Sequence, residues 1–351
     1  LVEKQLDSII SNVRAAVDKS EPLRIVGSDS KGFYGRPIDY SPLEVGGYSG
    51  VVSYEPTELV VTARCGTPLN ELQTLLEQER QCLAFEPPQF GSAGTVGGAV
   101  ATGLSGPARP YCGALRDAVL GIRCVNGRGQ LLSFGGQVMK NVAGFDVSRL
   151  LVGSLGTLAV IAEVSFKVLP KSEAEQTQIL ESDTEQAIHL FTRWSGKPVP
   201  LLGACYYDGR AYLRLAGTAA GVAAAARQIG GDTLTESGFW TALRDHELAF
   251  FQSELPLWRL LVPAATPPLA LPGDCLIDWG GGQRWLLTKA DPAMVRGVVE
   301  NLQGYAECFR GGGCEAGFMP VSAALIGLHR RLKTSFDPHG VLNPGRMYED
   351  L

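Results

Sequence analysis

The chain has 351 residues, a formal net charge of −5, 45 % hydrophobic residues and only 19 % charged residues, against about 25 % charged in an average protein. Its longest basic run is His329-Arg330-Arg331. The clustered lysines and arginines that nucleic acid or an anionic membrane surface requires are missing, and both partners are excluded. The length predicts two domains. The low charge fits either a large apolar core or a surface partly covered by a partner or cofactor.

Cysteines stand at 65, 82, 112, 124, 205, 275, 308 and 314, with no CxxC pair. Iron–sulfur and zinc ligand sets need closer pairs, so no metal site is expected. A chain this long does not need disulfides, and the thiols read as reduced, mostly buried groups of a cytoplasmic protein. The N-terminal segment lacks the charged-then-apolar layout of a secretory leader. No apolar run reaches the roughly 18 residues that span a bilayer. The nearest, Leu255 to Gly273, is interrupted by Arg259 and five prolines.

In chain order, Leu6, Ile9, Val13 and Val17 recur at helical spacing and predict an amphipathic helix over 2–19, ended by Pro22. A short strand is expected at 23–26, followed by Gly27-Ser28-Asp29-Ser30-Lys31-Gly32. Val-rich strands follow near 50–53 and 58–64. Thr67-Pro68 reads as an N-cap hydroxyl with proline at the first helical position, opening a helix from Leu69 to Glu79. Segments 118–125 and 130–134 form a hairpin around Asn126-Gly127. Phe145 to Leu151 reads as a short helix, and Leu158 to Leu169 as a long strand or two, stopped by Pro170. From 171 to 186 the chain turns polar and acidic, which places a domain boundary at 172/173. Beyond it, strands are expected near 201–207, 211–215, 257–262, 275–279 and 284–288, with helices near 218–229, 291–303 and 321–335. The N-terminal half has no regular βαβ alternation, which argues for an α+β fold over a doubly wound sheet.

The chemistry is concentrated in glycines. There are 43 among 351 residues, about one in eight against a usual ~7 %. Seven fall between 91 and 113. A dinucleotide is held through its pyrophosphate by backbone N–H groups, and glycine permits the close approach. Gly94-Thr95-Val96-Gly97-Gly98 runs into the small residues Ala99 to Gly103, which let a helix pack close to a ligand. Gly27-Ser28-Asp29-Ser30-Lys31 is a second donor loop, placed after a strand. One glycine cluster alone is more often an ordinary surface loop; two such loops make a nucleotide site the better reading. Neither the Gly-x-Gly-x-x-Gly turn of a Rossmann unit nor a P-loop stands in the right place, so the nucleotide is bound by another route.

Several separated motifs, in order, resemble the PCMH-type FAD-binding domain of the vanillyl-alcohol-oxidase family. They are Arg24-Ile25-Val26-Gly27-Ser28, Pro56-Thr57-Glu58-Leu59, Pro88 to Gly103, Arg116 to Gly121 and Gly153-Ser154-Leu155-Gly156-Thr157-Leu158. Glu86-Pro87-Pro88, Gly106-Pro107-Ala108-Arg109-Pro110, Met139 to Gly144 and Leu342-Asn343-Pro344-Gly345-Arg346-Met347-Tyr348 extend the resemblance over nearly the whole chain. There it is similar to the FAD-binding subunits of bacterial glycolate oxidases. The resemblance implies a two-subdomain FAD-binding domain over 1–172. It also implies a smaller α+β cap over 173–351, whose C-terminal tail returns to the flavin.

The resemblance also implies roles. Gly27, Ser28, Asp29 and Ser30 would meet the pyrophosphate from one side, and Gly94, Thr95, Gly97 and Gly98 from the other, with Pro88, Thr102 and Gly103 in the same stretch. Arg116 and Asp117 would pass the flavin side. Gly156, Thr157 and Ile161 would lie along the adenosine or flavin, and Asn343 would reach the flavin rim. The implied complex holds a catalytic FAD subunit and an iron–sulfur subunit, acts on a small 2-hydroxy acid, and meets the inner membrane through its partners.

Two departures matter. The four histidines, at 189, 246, 329 and 339, all lie outside the flavin domain, so a histidyl flavin linkage there is impossible. A cysteinyl link through Cys112 is not expected, and noncovalent FAD is. The His-x-Gly-Asp-Gly-Asn segment of catalytic relatives is replaced by Arg310-Gly311-Gly312-Gly313-Cys314-Glu315. Oxidising a 2-hydroxy acid needs a base within reach of the hydroxyl proton, and no residue here is an evident one. His329 reads as a helix residue and His339 as a turn residue. Arg109 is a carboxylate binder, a phosphate partner or the partner of a surface acid. A flavin-carrying partner subunit is therefore the leading reading. The alternatives are a stand-alone dehydrogenase using His339 or Tyr206 as base, a non-catalytic scaffold, and a nicotinamide-using reductase of the same fold.

Overall fold

The structure, a computed structural model, describes residues 2–91, 94–136, 146–311 and 317–351. The expected motifs at Met139 to Gly144 and Gly312 to Glu315, Phe145 at the start of the short helix, and Ala93 in the glycine stretch lie outside the described residues. In chain order the strands are β1 Leu23–Val26, β2 Ser41–Glu44, β3 Val51–Glu55, β4 Val60–Arg64, β5 Gln81–Cys82, β6 Val119–Asn126, β7 Leu131–Gly135, β8 Ala159–Lys167, β9 Leu169–Pro170, β10 Ala174–Glu181, β11 Leu201–Tyr207, β12 Arg210–Gly217, β13 Asp232–Thr233, β14 Leu257–Leu261, β15 Asp274–Asp278, β16 Gln283–Leu287 and β17 Tyr305–Arg310. The helices are α1 Val2–Lys19, α2 Leu69–Gln78, α3 Val96–Thr102, α4 Arg109–Cys112, α5 Leu115–Ala118, α6 Val147–Leu151, α7 Thr184–Ser195, α8 Ala219–Ile229, α9 Phe239–Arg244, α10 Pro292–Asn301 and α11 Ala323–Phe336. The architecture is α+β.

The residues group into two compact units. The first holds Leu1–Ser105, Ala114–Pro170 and Pro320–Leu351; the second holds Gly106–Gly113 and Lys171–Met319. The C-terminal α11 and the residues after it thus belong with the N-terminal unit.

In the first unit a five-stranded antiparallel sheet runs in the order β3-β4-β8-β6-β7. Its middle strand β8 is buried from Ala159 to Phe166, which is why it reads as a nearly unbroken apolar run. Two polar residues interrupt that run and both are answered. Glu163 accepts from Arg123 at 2.8 and 2.9 Å and from the Tyr48 hydroxyl, and Ser165 pairs with Thr62 at 2.8 Å. β1 and β2 pair in parallel beside this sheet. The helical stripe of α1 buries Ile9, Val13 and Ala16 in the same core. The turn between β6 and β7 is closed by Asn126, whose Oδ1 accepts from the N–H groups of Arg128 and Gln130.

The cap reading of Thr67 needs correction. Pro68, extended at φ −60°, ψ 136°, occupies the N-cap of α2. The Thr67 hydroxyl instead accepts from the Gly50 N–H and donates to the Gly50 carbonyl, because a tertiary neighbour competes for it.

The second unit is one eight-stranded antiparallel sheet, β13-β10-β12-β11-β15-β16-β14-β17. α7 and α8 cover its first half through Phe191, Trp194, Val222 and Ile229. α10 covers the other half through Val295 and Val299. The polar stretch over 171–186 contains β10, which pairs along its length with β12. Its outward face carries Glu175, bound by Arg214 at 2.7 Å, and alternation of this kind reads as linker when only one face is apolar. β17 has no expected counterpart in the sequence reading. Its residues Glu307 and Arg310 disguise a strand buried at four consecutive positions.

Candidate functional site: a glycine-walled groove in the first unit

The groove is built where β1 ends. Leu23 and Val26 anchor the strand in the core, and Gly27 begins a loop that turns at Asp29, whose φ is +58°. The Gly32 N–H closes the turn on the Asp29 carbonyl at 2.9 Å. Arg24 meets the Asp29 carboxylate at 3.2 Å, and the Ser28 hydroxyl lies 3.4 Å from that of Ser30. Among the described residues the backbone N–H groups of Ser28, Asp29 and Ser30 make no hydrogen bond, and this loop lines the groove from Gly27 to Gly32.

The facing wall is α3. Thr95 caps it by accepting from the Gly98 N–H at 3.2 Å. A Cβ on Gly27 would stand 2.8 Å from Thr95 Oγ1, and one on Gly97 would stand 2.7 Å from Cys65 Cβ. Glycine is what lets the loop, α3 and β4's end approach so closely. A Cβ on Gly98, which lines the groove, would meet only Thr95 Oγ1, at 3.2 Å. The α3 donors are already engaged: Val96 N–H on Thr67 O, Gly97 N–H on Cys65 O and Gly98 N–H on Thr95 Oγ1. This wall therefore supplies shape, and the Gly27–Gly32 loop supplies the open backbone donors.

The floor is apolar, from Ala159 and Ile161 of β8 and Cys65. Burial pushes the Cys65 thiol up to about 12. The remaining side is the turn at Leu155 and Gly156, with φ of +52° and +71°, tied to α3 by the Leu155 N–H on Ala101 O. Asn343 closes the rim. Its Nδ2 donates to Leu155 O at 2.7 Å and its Oδ1 accepts from the Ile25 N–H at 2.8 Å.

Two cations line the groove, Lys31 and Arg346. Lys31 is buried and faces the Phe90 ring at 5.9 Å. Arg346 donates to the carbonyls of Gly32, Tyr34 and Arg36 at 2.7 to 2.9 Å, which fixes the loop to the C-terminal segment. Among the described residues no group of three or more histidines, cysteines or carboxylates is placed to hold a metal.

Of the sequence-derived candidates, Gly27, Ser28, Asp29, Ser30, Thr95, Gly97, Gly98, Thr102, Gly156, Ile161 and Asn343 line this groove. The others lie elsewhere. Pro88 and Gly94 are buried outside its lining, the Gly94 carbonyl accepting from Leu69 N–H. Gly103 ends α3 at φ +65°. Thr157 is buried, with its hydroxyl on Ser154 O. Arg116 and Asp117 sit exposed on α5, where the Asp117 carboxylate accepts from Ala114 N–H at 2.9 Å. Sequence reasoning passed over Lys31, Tyr34, Leu155 and Arg346 as site residues. Lys31 and Arg346 lay inside motifs already recognised, and their charge was the available signal. His339 is an exposed turn residue and His329 faces Tyr348 on α11; neither lines the groove.

In the second unit Arg109 lies over the Trp279 ring at 4.4 Å, and Arg259 over the same ring at 5.1 Å. Arg259 also binds Gln283 at 2.6 Å and Glu307 at 3.1 Å. His246 is stacked on Phe251 at 3.9 Å. Burial, followed by the charges of Arg310 and Arg259, holds its pKa well below 6.5.

The groove combines glycine walls, open backbone donors and two cations, and the fold around it is that of a PCMH-type FAD-binding protein. Residues 3–135 match the family described as an FAD binding domain. Over 344 residues the chain is 44 % identical to the glycolate oxidase subunit GlcE of Escherichia coli (strain K12), covering 98 % of this chain and 97 % of that protein. The chain belongs to the family of that subunit, a family of FAD-dependent oxidoreductase subunits. A D-lactate dehydrogenase of Anaerostipes hadrus is 33 % identical over 120 residues, 34 % of this chain and 25 % of that protein. The glycolate oxidase subunit GlcD of Bacillus subtilis (strain 168) is 38 % identical over 95 residues, 26 % and 20 % of the two chains. Among solved structures an alkyldihydroxyacetonephosphate synthase superposes with a TM-score of 0.67 at 14 % identity, over 96 % of this chain and 75 % of that one, a likeness of fold alone.

Proposed function

We propose that this chain is the FAD-binding subunit of a glycolate or related 2-hydroxy-acid oxidase, working with a catalytic flavin subunit and an iron–sulfur subunit. The observation that carries the reading is the end-to-end identity with the glycolate oxidase subunit of E. coli. The groove supports it, because its chemistry suits a pyrophosphate flanked by two flat rings. When bound, FAD supplies an acceptor for the hydride removed from a 2-hydroxy acid.

The chain's own residues would act as follows. The N–H groups of Ser28, Asp29 and Ser30 meet the pyrophosphate, and Lys31 and Arg346 offset its charge. Gly97, Gly98 and Gly156 let the dinucleotide lie against backbone. Ile25, Ala101, Ala159 and Ile161 exclude water from its rings. The flavin is held noncovalently. Cys65, the cysteine on the groove, is a protonated thiol, and the thiolate is the reactive form. The partners carry the complex to the inner membrane. Among the described residues the groove is lined by no histidine, and Asp29, its one carboxylate, is held by Arg24 at 3.2 Å, which is consistent with substrate oxidation on another subunit.

The test is the anaerobic visible spectrum of the purified chain, and of the chain with its co-expressed partners, before and after glycolate. A flavin band unchanged in the isolated chain and bleached in the complex is expected. Bleaching in the isolated chain would make it a dehydrogenase in its own right, and the absence of flavin would make it a scaffold.

A further inference from the structure

Behind the groove's rim lies a buried charge pair whose hydrogen bonds reach none of the groove-lining side chains. Lys333 of α11 is 9 % exposed and Asp337 only 2 %. The Lys333 ammonium donates to Thr157 O, Leu342 O and Asp337 Oδ2, each at 2.7 Å, so its three hydrogens are all used. Asp337 in turn accepts from Val341 N–H at 3.1 Å and Leu342 N–H at 2.8 Å. The pair therefore fixes the turn over 337–342 and also grips the carbonyl of Thr157.

That turn delivers a strand-like segment to β1. Leu23 N–H donates to Val341 O, and Asn343 N–H to Leu23 O. Asn343 then reaches across to Leu155 O and Ile25 N–H. The Leu155–Thr157 turn is thus held at both ends from the C-terminal segment, by Asn343 and by Lys333, with Gly156 on the groove between them. β1, which runs directly into the Gly27 loop, is held at Ile25 by the same asparagine.

We propose that Lys333 and Asp337 are positioning residues for dinucleotide binding: they preform the rim by setting Asn343, the end of β1 and the Leu155–Thr157 turn before FAD arrives. The proposal rests on the FAD reading above. Preformed geometry raises affinity because ordering is not charged to the binding step.

The experiment measures FAD affinity of the flavin-free full chain, by quenching of flavin fluorescence, beside its urea unfolding. Lys333→Met and the double variant Lys333→Met/Asp337→Leu are compared with Val164→Ala, a cavity in the β8 core. Removing both charges leaves no orphaned ion, so the double variant decides if the single one does not fold. Both are expected to weaken FAD binding at least about tenfold. Val164→Ala, at an equal or greater loss of stability, should leave binding within about twofold. Wild-type affinity in the double variant, or a loss no larger than the control's at matched stability, would overturn the positioning role. Hydrogen exchange on the unaltered flavin-free chain is independent of any variant: the amides of Ile25, Val341 and Leu342 must already be protected. Free exchange there also sinks the proposal. A wild-type chain that takes up no FAD would instead overturn the reading of the groove itself.

Discussion

The groove of the first unit and one sheet face of the second hold similar kinds of residue and use them in opposite ways. In the groove, Lys31 and Arg346 line an open space, backbone N–H groups of Ser28 to Ser30 are open, and glycines leave room. On the face formed by β14, β16 and β17, Arg259 is enclosed by Gln283, Glu307 and Trp279, and His246 is packed among Phe251, Trp285 and Phe309. Charge beside unfilled donors marks a place for a ligand. Charge saturated by its own neighbours, in a low-dielectric interior, marks rigidity. The number of titratable groups does not separate the two; the open backbone donors beside Lys31 and the enclosing partners of Arg259 do.

That contrast is sharpest where a charge is removed. Arg259→Met strands Glu307, whose side chain is 3 % exposed, and the chain should lose about 3–5 kcal/mol of stability while FAD affinity holds. Calorimetry with flavin titration would show both, and a large loss of FAD affinity in the folded variant would blur the distinction. Next in size, Gly98→Leu fills the groove without touching the cores. FAD affinity should fall roughly a hundredfold, about 2.8 kcal/mol, with unfolding little changed; retained flavin would place the ligand elsewhere.

The smallest effect concerns pH. Because His246 is held neutral, its pKa in the folded chain lies well below 6.5, and below that value the unfolded chain binds the extra proton. Stability from this group is therefore full above pH 6.5 and declines as pH falls, by up to about 1.4 kcal/mol per unit. His246→Leu should flatten the acid limb of a plot of unfolding midpoint against pH. An unchanged limb would mean the imidazole is charged in the fold, and the packed face would then hold an open site after all.

Periodicity made α1, α2, α8, β6 and β8 legible, since each buries one continuous stripe or a run of apolar residues. β10 escaped because its outward face is polar, with Glu175 bound by Arg214, and β17 because its burial is supplied partly by Glu307, paired across strands with Arg259. A sequence shows the charges without the partners. The same limit governs the site. Gly27 to Ser30 could be read as a loop from composition and Asn343 from its resemblance, whereas Thr95 to Gly98, read as a second loop, form the cap and first turn of α3. Arg116 and Asp117 shared that resemblance and yet stand away from the groove, on α5.

By itself, the sequence determined the chemistry available: glycines where backbone must come close, no histidine over residues 1–172, no CxxC pair, and no basic cluster. These follow from residue type and local spacing. Only the tertiary structure decided which of those groups face the same space. It used up the α3 donors on Thr67, Cys65 and Thr95, left those of the Gly27 loop open, and brought Asn343 and Arg346 back across more than 300 residues to the end of β1. The reason is that hydrogen-bond satisfaction is settled among neighbours in space, and the chain's order along its length does not contain them.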